Sequence, residues 1–257
     1  MTQAPLAAVV LTRDERRHIA ECIETLRWAD DIVVFDSFSQ DETPAIARAL
    51  GATVIQHPFV NFAQQRDAAL AQVAAEWVFF VDADERVPPA LAAEVRQVIA
   101  GRPEVGWWVP RRNYIVGRWI QGGGWYPDPQ LRLLRRASAH YDPTHEVHET
   151  VLLDGPAGTL QNCFIHYNYD TWAQFLSKQR RYLRLDAGMQ ARAGVQPHPW
   201  TYLTMPLREF RRRYITLRGY RDGRHGLILS LLMAYTAFLT TREINRLRRD
   251  KTEPTGR

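Results

Sequence analysis

Trp77-Val78-Phe79-Phe80-Val81-Asp82-Ala83-Asp84 is an unbroken apolar run that ends on two carboxylates one residue apart. A run this short, rich in aromatic and β-branched side chains, reads as a strand buried on both faces, so Asp82 and Asp84 stand at its carboxyl end. Toward the N-terminus, residues 7–11, 31–35 and 53–56 read as further short strands. The intervening stretches change to helical spacing. Ile19, Cys22, Ile23 and Leu26 share one face; Thr43 and Pro44 open a second helix that Gly51 closes; residues 62–73 form a third. Thr12-Arg13-Asp14-Glu15 has the form of a capping box ahead of the first helix. Beyond the carboxylates, residues 89–100 place Leu91, Val95, Val98 and Ile99 on one helical face. Strand and helix alternating in this way predict an α/β domain on a mostly parallel sheet with flanking helices.

Ligands of open α/β sheets bind beyond the carboxyl ends of the strands, and three such ends carry polar groups: Thr12 with Glu15, Asp36, and Asp82 with Asp84. No GxGxxG follows the first strand and no GxxxxGK[ST] occurs, so the usual dinucleotide and P-loop phosphate cradles are absent. A divalent cation held by one or two carboxylates, with substrate phosphates completing its shell, performs the same neutralisation. A lone Asp-x-Asp is also what a solvated helix cap presents. Its place at the end of a wholly apolar strand favours the metal.

The chain has 257 residues, 46% of them hydrophobic, enough for one substantial core and an appendage. Cys22 and Cys163 lie far apart without metal-ligand spacing, so neither a zinc site nor a disulfide framework is suggested. Residues 1–5 lack the basic start and apolar run of a secretory leader, and a cytoplasmic N-terminus is expected. The formal charge of +5 hides a split: residues 1–170 carry 15 Lys and Arg against 22 Asp and Glu, a net of −7, whereas 171–257 carry 18 against 6, a net of +12. The last third is a basic interaction region.

Val10-Leu11-Thr12-Arg13-Asp14-Glu15, Val33-Val34-Phe35-Asp36-Ser37-Phe38-Ser39-Gln40-Asp41-Glu42-Thr43, Gln65-Arg66-Asp67-Ala68-Ala69-Leu70 and Val81-Asp82-Ala83-Asp84-Glu85 together resemble glycosyltransferase family 2. Gly123-Gly124-Trp125-Tyr126-Pro127-Asp128-Pro129-Gln130-Leu131-Arg132-Leu133, Val147-His148-Glu149 and Ile165-His166-Tyr167 extend the resemblance to the branch that builds the lipopolysaccharide inner core. Phe38 and Gln40 stand where the family usually has Gly and Thr. The resemblance implies a GT-A fold, Rossmann-like, over residues 1–169, with a nucleotide-sugar half (1–100) and an acceptor half (101–169). It implies transfer from a nucleotide sugar, a UDP-hexose, to a lipid-linked or other saccharide acceptor with Mn²⁺ or Mg²⁺. Thr12 and Glu15 would line the nucleoside pocket, Asp36 would accept from the base imide, Arg66 would lie by the base or phosphates, and Asp82 would sit near ribose and metal. Asp84 would be the principal metal ligand; a late His joins the metal in some GT-A enzymes and His166 is the candidate, although a satisfied buried histidine is its plain reading.

Inversion requires a base that takes the acceptor hydroxyl proton from the face opposite the leaving phosphate. Asp128, after the glycines 122–124, resembles the family's base-bearing region; Glu149 is the alternative, and a turn cap is the plain reading of Asp128. Trp125 and Tyr126 could stack on sugar faces, and Arg132 and His148 are assigned to the acceptor. His145 and His148 are three apart rather than four, in a stretch that reads as strand, so the segment is not a zinc-peptidase helix. A silent nucleotide-sugar-binding protein and a nucleotidyltransferase are the competing classes.

Residues 170–257 turn helical and basic. Trp172, Phe175, Leu176, Gln179, Tyr182 and Leu183 form one face; Pro197, Pro199 and Pro206 interrupt the chain; residues 227–241 form an uncharged block ended by Arg242, Arg246, Arg248 and Arg249. At 15 residues this block is short of the roughly 20 that cross a bilayer. It suits an interfacial helix on anionic lipid, or one packed on protein, and its length disfavours nucleic acid as the partner. A peripheral protein on the inner face of the cytoplasmic membrane is expected, and a homo-oligomer is compatible.

Overall fold

The computed structural model describes residues 4–141 and 151–252. His145, Glu146, His148 and Glu149, and with them the alternative base and one acceptor assignment, lie outside the described residues. The chain divides into two compact units, one of residues 1–112 and 128–166, the other of residues 113–127 and 167–257. Residues 113–127 thus group with the C-terminal helices.

In the first unit β1 (Ala4–Thr12), α1 (Ile19–Glu24), β2 (Asp31–Asp36), α2 (Thr43–Ala49), β3 (Thr53–Gln56), α3 (Phe62–Gln72) and β4 (Ala75–Asp82) follow in order. β5 (Glu85–Arg86), α4 (Pro89–Gly101) and β6 (Gly106–Val109) come next. β7 (Arg111–Ile115) leads to β8 (Arg118–Trp119) in the second unit, and the chain returns as β9 (Gln130–Arg135), β10 (Ala139–Tyr141), β11 (Val151–Leu153), β12 (Ala157–Thr159) and β13 (Phe164–Tyr169). A seven-stranded sheet has the order β12-β6-β9-β4-β1-β2-β3. β1 pairs in parallel with β2 and β4, and β2 with β3, while β9 runs antiparallel to β4 and β6. The mostly parallel sheet with flanking helices is the expected architecture.

The strand period of two sorts the side chains between two apolar layers. Leu6, Ala8 and Val10 of β1 and Trp77, Phe79 and Val81 of β4 face the layer closed by α1 and α4. Ala7 and Val9, with Val78 and Phe80, face the layer closed by α3. Both faces of the central strands are therefore dry, which is why residues 77–81 are apolar without alternation. Phe79 and Phe80 are wholly buried, each stabilising the unit by roughly 1.5–3 kcal/mol.

The local details differ from the sequence reading at the first helix. Thr12 does not cap it; Thr12 ends β1 opposite Asp36, and its hydroxyl donates to that carboxylate at 3.1 Å. α1 starts at Ile19 behind His18 without a side-chain cap, and the Glu15 amide donates to Thr43 Oγ1 at 2.8 Å. A buried acceptor on the neighbouring strand end competes successfully for the hydroxyl.

In the second unit α5 (Trp172–Arg192), α6 (Thr201–Phe210) and α7 (Gly223–Thr252) follow β13, with a π-helical turn over Arg211–Thr216 and a 3₁₀ turn over Gly219–Asp222. α5 carries a true capping box, Thr171 with Gln174. Ile115, Ile120, Tyr169, Phe175 and Leu229 form the core of this unit. Asp222, almost fully buried, accepts from the backbone amides of Gln121 and Gly122 at 2.9 and 2.7 Å, and Arg213 donates to the Gly123 carbonyl at 2.8 Å. The glycines preceding Trp125 are thereby tied to the C-terminal helical segment. A Cβ on Gly122 would stand 2.3 Å from the Arg218 carbonyl oxygen, so the close approach requires glycine. The apolar block 227–241 belongs to the 30-residue α7, which by length and composition alone could cross a membrane. The sequence block is thus shorter than its helix. α7 nevertheless buries Leu229, Ala234 and Ile244, and Asn245 donates to the Tyr202 hydroxyl of α6 at 2.9 Å.

Candidate active site

The carboxyl ends of β1, β2 and β4 hold the expected polar groups. Asp36 is completely buried, its carboxylate accepting from Thr12, from the Ser39 amide at 3.0 Å and from the Ser39 hydroxyl. Phe38 follows in the left-handed region at φ 55°, with half of its surface in water. A glycine would hold that conformation without strain, so the aromatic residue here is held against its backbone preference.

At the end of β4, Asp82 is clamped by two buried arginines. Arg66 of α3, lying over the Phe80 ring, reaches Asp82 Oδ1 at 3.3 Å, and Arg132 of β9 bonds to Oδ2. Burial by itself would push the Asp82 carboxyl up; the charges of Arg132, Arg66 and Arg111 prevail and hold it well below the ordinary carboxylate range. Glu85 receives the Asp82 amide on Oε2 at 2.8 Å and faces Arg111 at 3.5 Å. Burial and the neighbouring Asp82 charge raise the Glu85 pKa. Arg111 also donates through Nε and Nη2 to Asp128 Oδ2, at 3.0 and 2.6 Å. Asp82, Glu85 and Asp128 are thus linked through Arg132 and Arg111.

Asp84 takes a different course. Its side chain retains 28% exposure, and Oδ2 lies 3.2 Å from His166 Nε2. The pairing of Glu85 with His166 across β5 and β13 brings these two groups together from 82 residues apart in sequence. Among the described residues no three His, Cys, Asp or Glu side chains gather into a metal-holding group. Asp84, with 28% of its side chain exposed, still suits Mg²⁺ or Mn²⁺, which take much of their shell from water and substrate phosphates, while the buried His166 would reach such an ion only through the Nε2 that faces Asp84.

The structure therefore joins Thr12 with Asp36, Arg66 and Arg132 with Asp82, and Asp84 with His166. Arg132, given to the acceptor by the sequence reading, is buried against Asp82. Trp125 and Tyr126 belong to the second unit, where Trp125 packs on Phe175 and lies under Arg213, and Tyr126 meets Trp119 edge-on. Glu85 and Arg111 were not singled out from the sequence. Their signal is a pair of charged residues adjoining apolar strands, which becomes informative only when both prove buried.

The fold is a mostly parallel α/β sheet with its carboxylates gathered at the carboxyl ends of the strands. The sequence pattern of glycosyl transferase family 2 matches residues 7–148. The lipopolysaccharide core biosynthesis glycosyltransferase LpsC of Rhizobium meliloti (strain 1021) is 30% identical, covering 97% of this chain and 95% of LpsC. An uncharacterised glycosyltransferase of Rickettsia typhi is 23% identical over 94% of this chain and 87% of its own length. Among solved structures, glucosyl-3-phosphoglycerate synthase from Mycobacterium tuberculosis in complex with phosphoglyceric acid superposes with a TM-score of 0.50 at 17% identity, over 76% of this chain and 81% of that one. The chain belongs to glycosyltransferase family 2 and is a glycosyltransferase.

Proposed function

We propose that this enzyme transfers a hexose from a UDP-sugar, with inversion and with a divalent metal, to a lipid-linked glycan such as the lipopolysaccharide core. The observation that carries the reading is the Asp84–His166 pair beside the arginine-clamped Asp82 at the end of β4. The relationship to LpsC, named for lipopolysaccharide core biosynthesis, supports the acceptor class. Residues 1–169 are assigned to catalysis and 170–257 to association.

Asp84 and His166 would hold the Mn²⁺ or Mg²⁺ ion, with Asp82 beside it. When bound, the cation supplies Lewis-acid stabilisation of the departing nucleoside diphosphate. Arg66 and Arg132 fix Asp82 so that its charge stays in one orientation. Thr12 and Ser39 orient the Asp36 carboxylate for the base, with Glu15 lining the same pocket. Asp128 is the candidate base, with Arg111 setting its rotamer. The +12 charge of 171–257 supports attachment to an anionic membrane, the cytoplasmic face, where a lipid-borne acceptor resides.

Calorimetric titration with a panel of nucleotide sugars, in Mn²⁺ and in chelator, tests the reading alongside Asp84→Ala. Binding of one UDP-sugar that needs both the metal and Asp84 supports it. Failure to bind any sugar nucleotide refutes it.

A further inference from the structure

The apolar block of α7 is the sequence's candidate for lipid contact, yet α6 presents the more exposed apolar face. No residue of Thr201–Phe210 is buried. Trp200, Leu203 and Leu207 are 64, 73 and 65% exposed. At about 100° per residue they fall, with Arg211, within roughly 80° of arc. Tyr202 points the other way, its ring 5.7 Å from that of Phe238 and its hydroxyl bonded to Asn245, so α6 rests on α7 and turns its leucines outward.

The charges around this face have one sign. Arg208 and Arg211 have no carboxylate partner among the described residues, while Arg212 and Arg213 share Glu209. On the N-terminal side, Pro197 and Pro199, which flank His198 just before Trp200, line a 530 Å³ recess with Tyr202, Asn245, Arg248 and Arg249. Trp200 stacks on His198 at 4.6 Å and keeps its indole in water. An indole and two leucines bordered by arginines suit the boundary between headgroups and acyl chains, where apolar burial and attraction to phosphates act together. Two copies of this chain meeting on the same face would bring the arginines together, which disfavours self-association there.

We infer that α6 is the element that enters an anionic membrane surface, with Trp200, Leu203 and Leu207 in the interface and Arg208 and Arg211 on lipid phosphates. α7 then serves as the platform behind it. The inference rests on the membrane association proposed above and adds which helix performs it.

Sedimentation of the full chain with vesicles of phosphatidylcholine containing about a third phosphatidylglycerol tests it. Three proteins are compared: wild type, Leu203→Ser/Leu207→Ser, and Leu231→Ser/Tyr235→Ser on the exposed face of α7. The expected result is wild-type binding that weakens in high salt, a loss of at least about tenfold in the α6 variant, and a change under about twofold in the α7 variant. Circular dichroism and nucleotide binding equal to wild type establish that each variant is folded. Wild type that stays in the supernatant overturns both the membrane reading and this one. Wild type that binds while the α6 variant binds equally, or while the α7 variant carries the loss, overturns the role of α6 alone. A concentration-dependent dimer abolished by the α6 substitutions, with vesicle binding unchanged, assigns the face to a second copy and overturns the inference.

Discussion

Replacing Arg132 with methionine removes one cation from the centre of the carboxylate network while keeping an unbranched chain of similar length. Arg132 is 3% exposed, bonds to Asp82 and lies 3.9 Å from Glu85 Oε1. Breaking a buried ion pair from one side typically costs ~3–5 kcal/mol, because the partner's charge stays desolvated. Here one third of the Asp82 side chain still meets solvent, and Arg66 remains at 3.3 Å. The loss should therefore fall near the lower end, about 3 kcal/mol. Urea unfolding followed by circular dichroism reads it as a midpoint shift of ~1–2 M, for a slope of roughly 2 kcal/mol/M. Adding Asp82→Asn removes the stranded charge, so the double variant should recover about half of the loss. An Arg132→Met loss below about 1 kcal/mol, or a double variant whose losses simply add, would refute the clamp.

Three further outcomes are expected. Asp222→Asn leaves a single oxygen for the Gln121 and Gly122 amides; stability should drop by about 1–2 kcal/mol, with faster hydrogen exchange at one of those amides, and unchanged exchange would count against the anchor. Asp30 sits below its ordinary 3.8 chiefly because Arg96 donates to both its oxygens. A depressed carboxylate contributes stability that is complete above its unfolded pKa and fades as pH falls through the folded one. Asp30→Asn should therefore cost about 1 kcal/mol at neutral pH, and its unfolding curve should merge with wild type in acid. Phe38→Gly relieves a left-handed backbone but frees the unfolded chain, so stability should change by less than about 1 kcal/mol. Its nucleotide Kd should rise about five- to tenfold if the exposed ring stacks on the base, and an unchanged Kd removes Phe38 from the pocket.

The elements that were legible in the sequence are those whose pattern is dictated by burial. Residues 77–81 lie between two apolar layers and could be read as a central strand without any knowledge of their neighbours. Thr12 was misread because its side chain answers to Asp36, 24 residues away, and a capping signal contains only local information. The antiparallel β9 was hidden for a similar reason: Gln130–Arg135 carries Arg132 in its interior, and only the Asp82 carboxylate across the sheet makes a buried arginine acceptable there. Asp84 could be found from the end of its strand, whereas its proximity to His166 depends on the β5–β13 pairing. In the C-terminal unit composition pointed to α7, since it carries the longest apolar block. The structure shows that part of this block is spent on packing within the unit, and that the smaller α6 holds the more exposed apolar face.

Sugar transfer itself is the decisive assay: the purified chain, a labelled UDP-hexose and a lipid-linked core glycan, in Mn²⁺ or in chelator. The expected product is labelled glycolipid that requires the metal and disappears in Asp84→Ala with the fold intact. Transfer that continues in chelator, or that survives loss of Asp84, would contradict the proposed function.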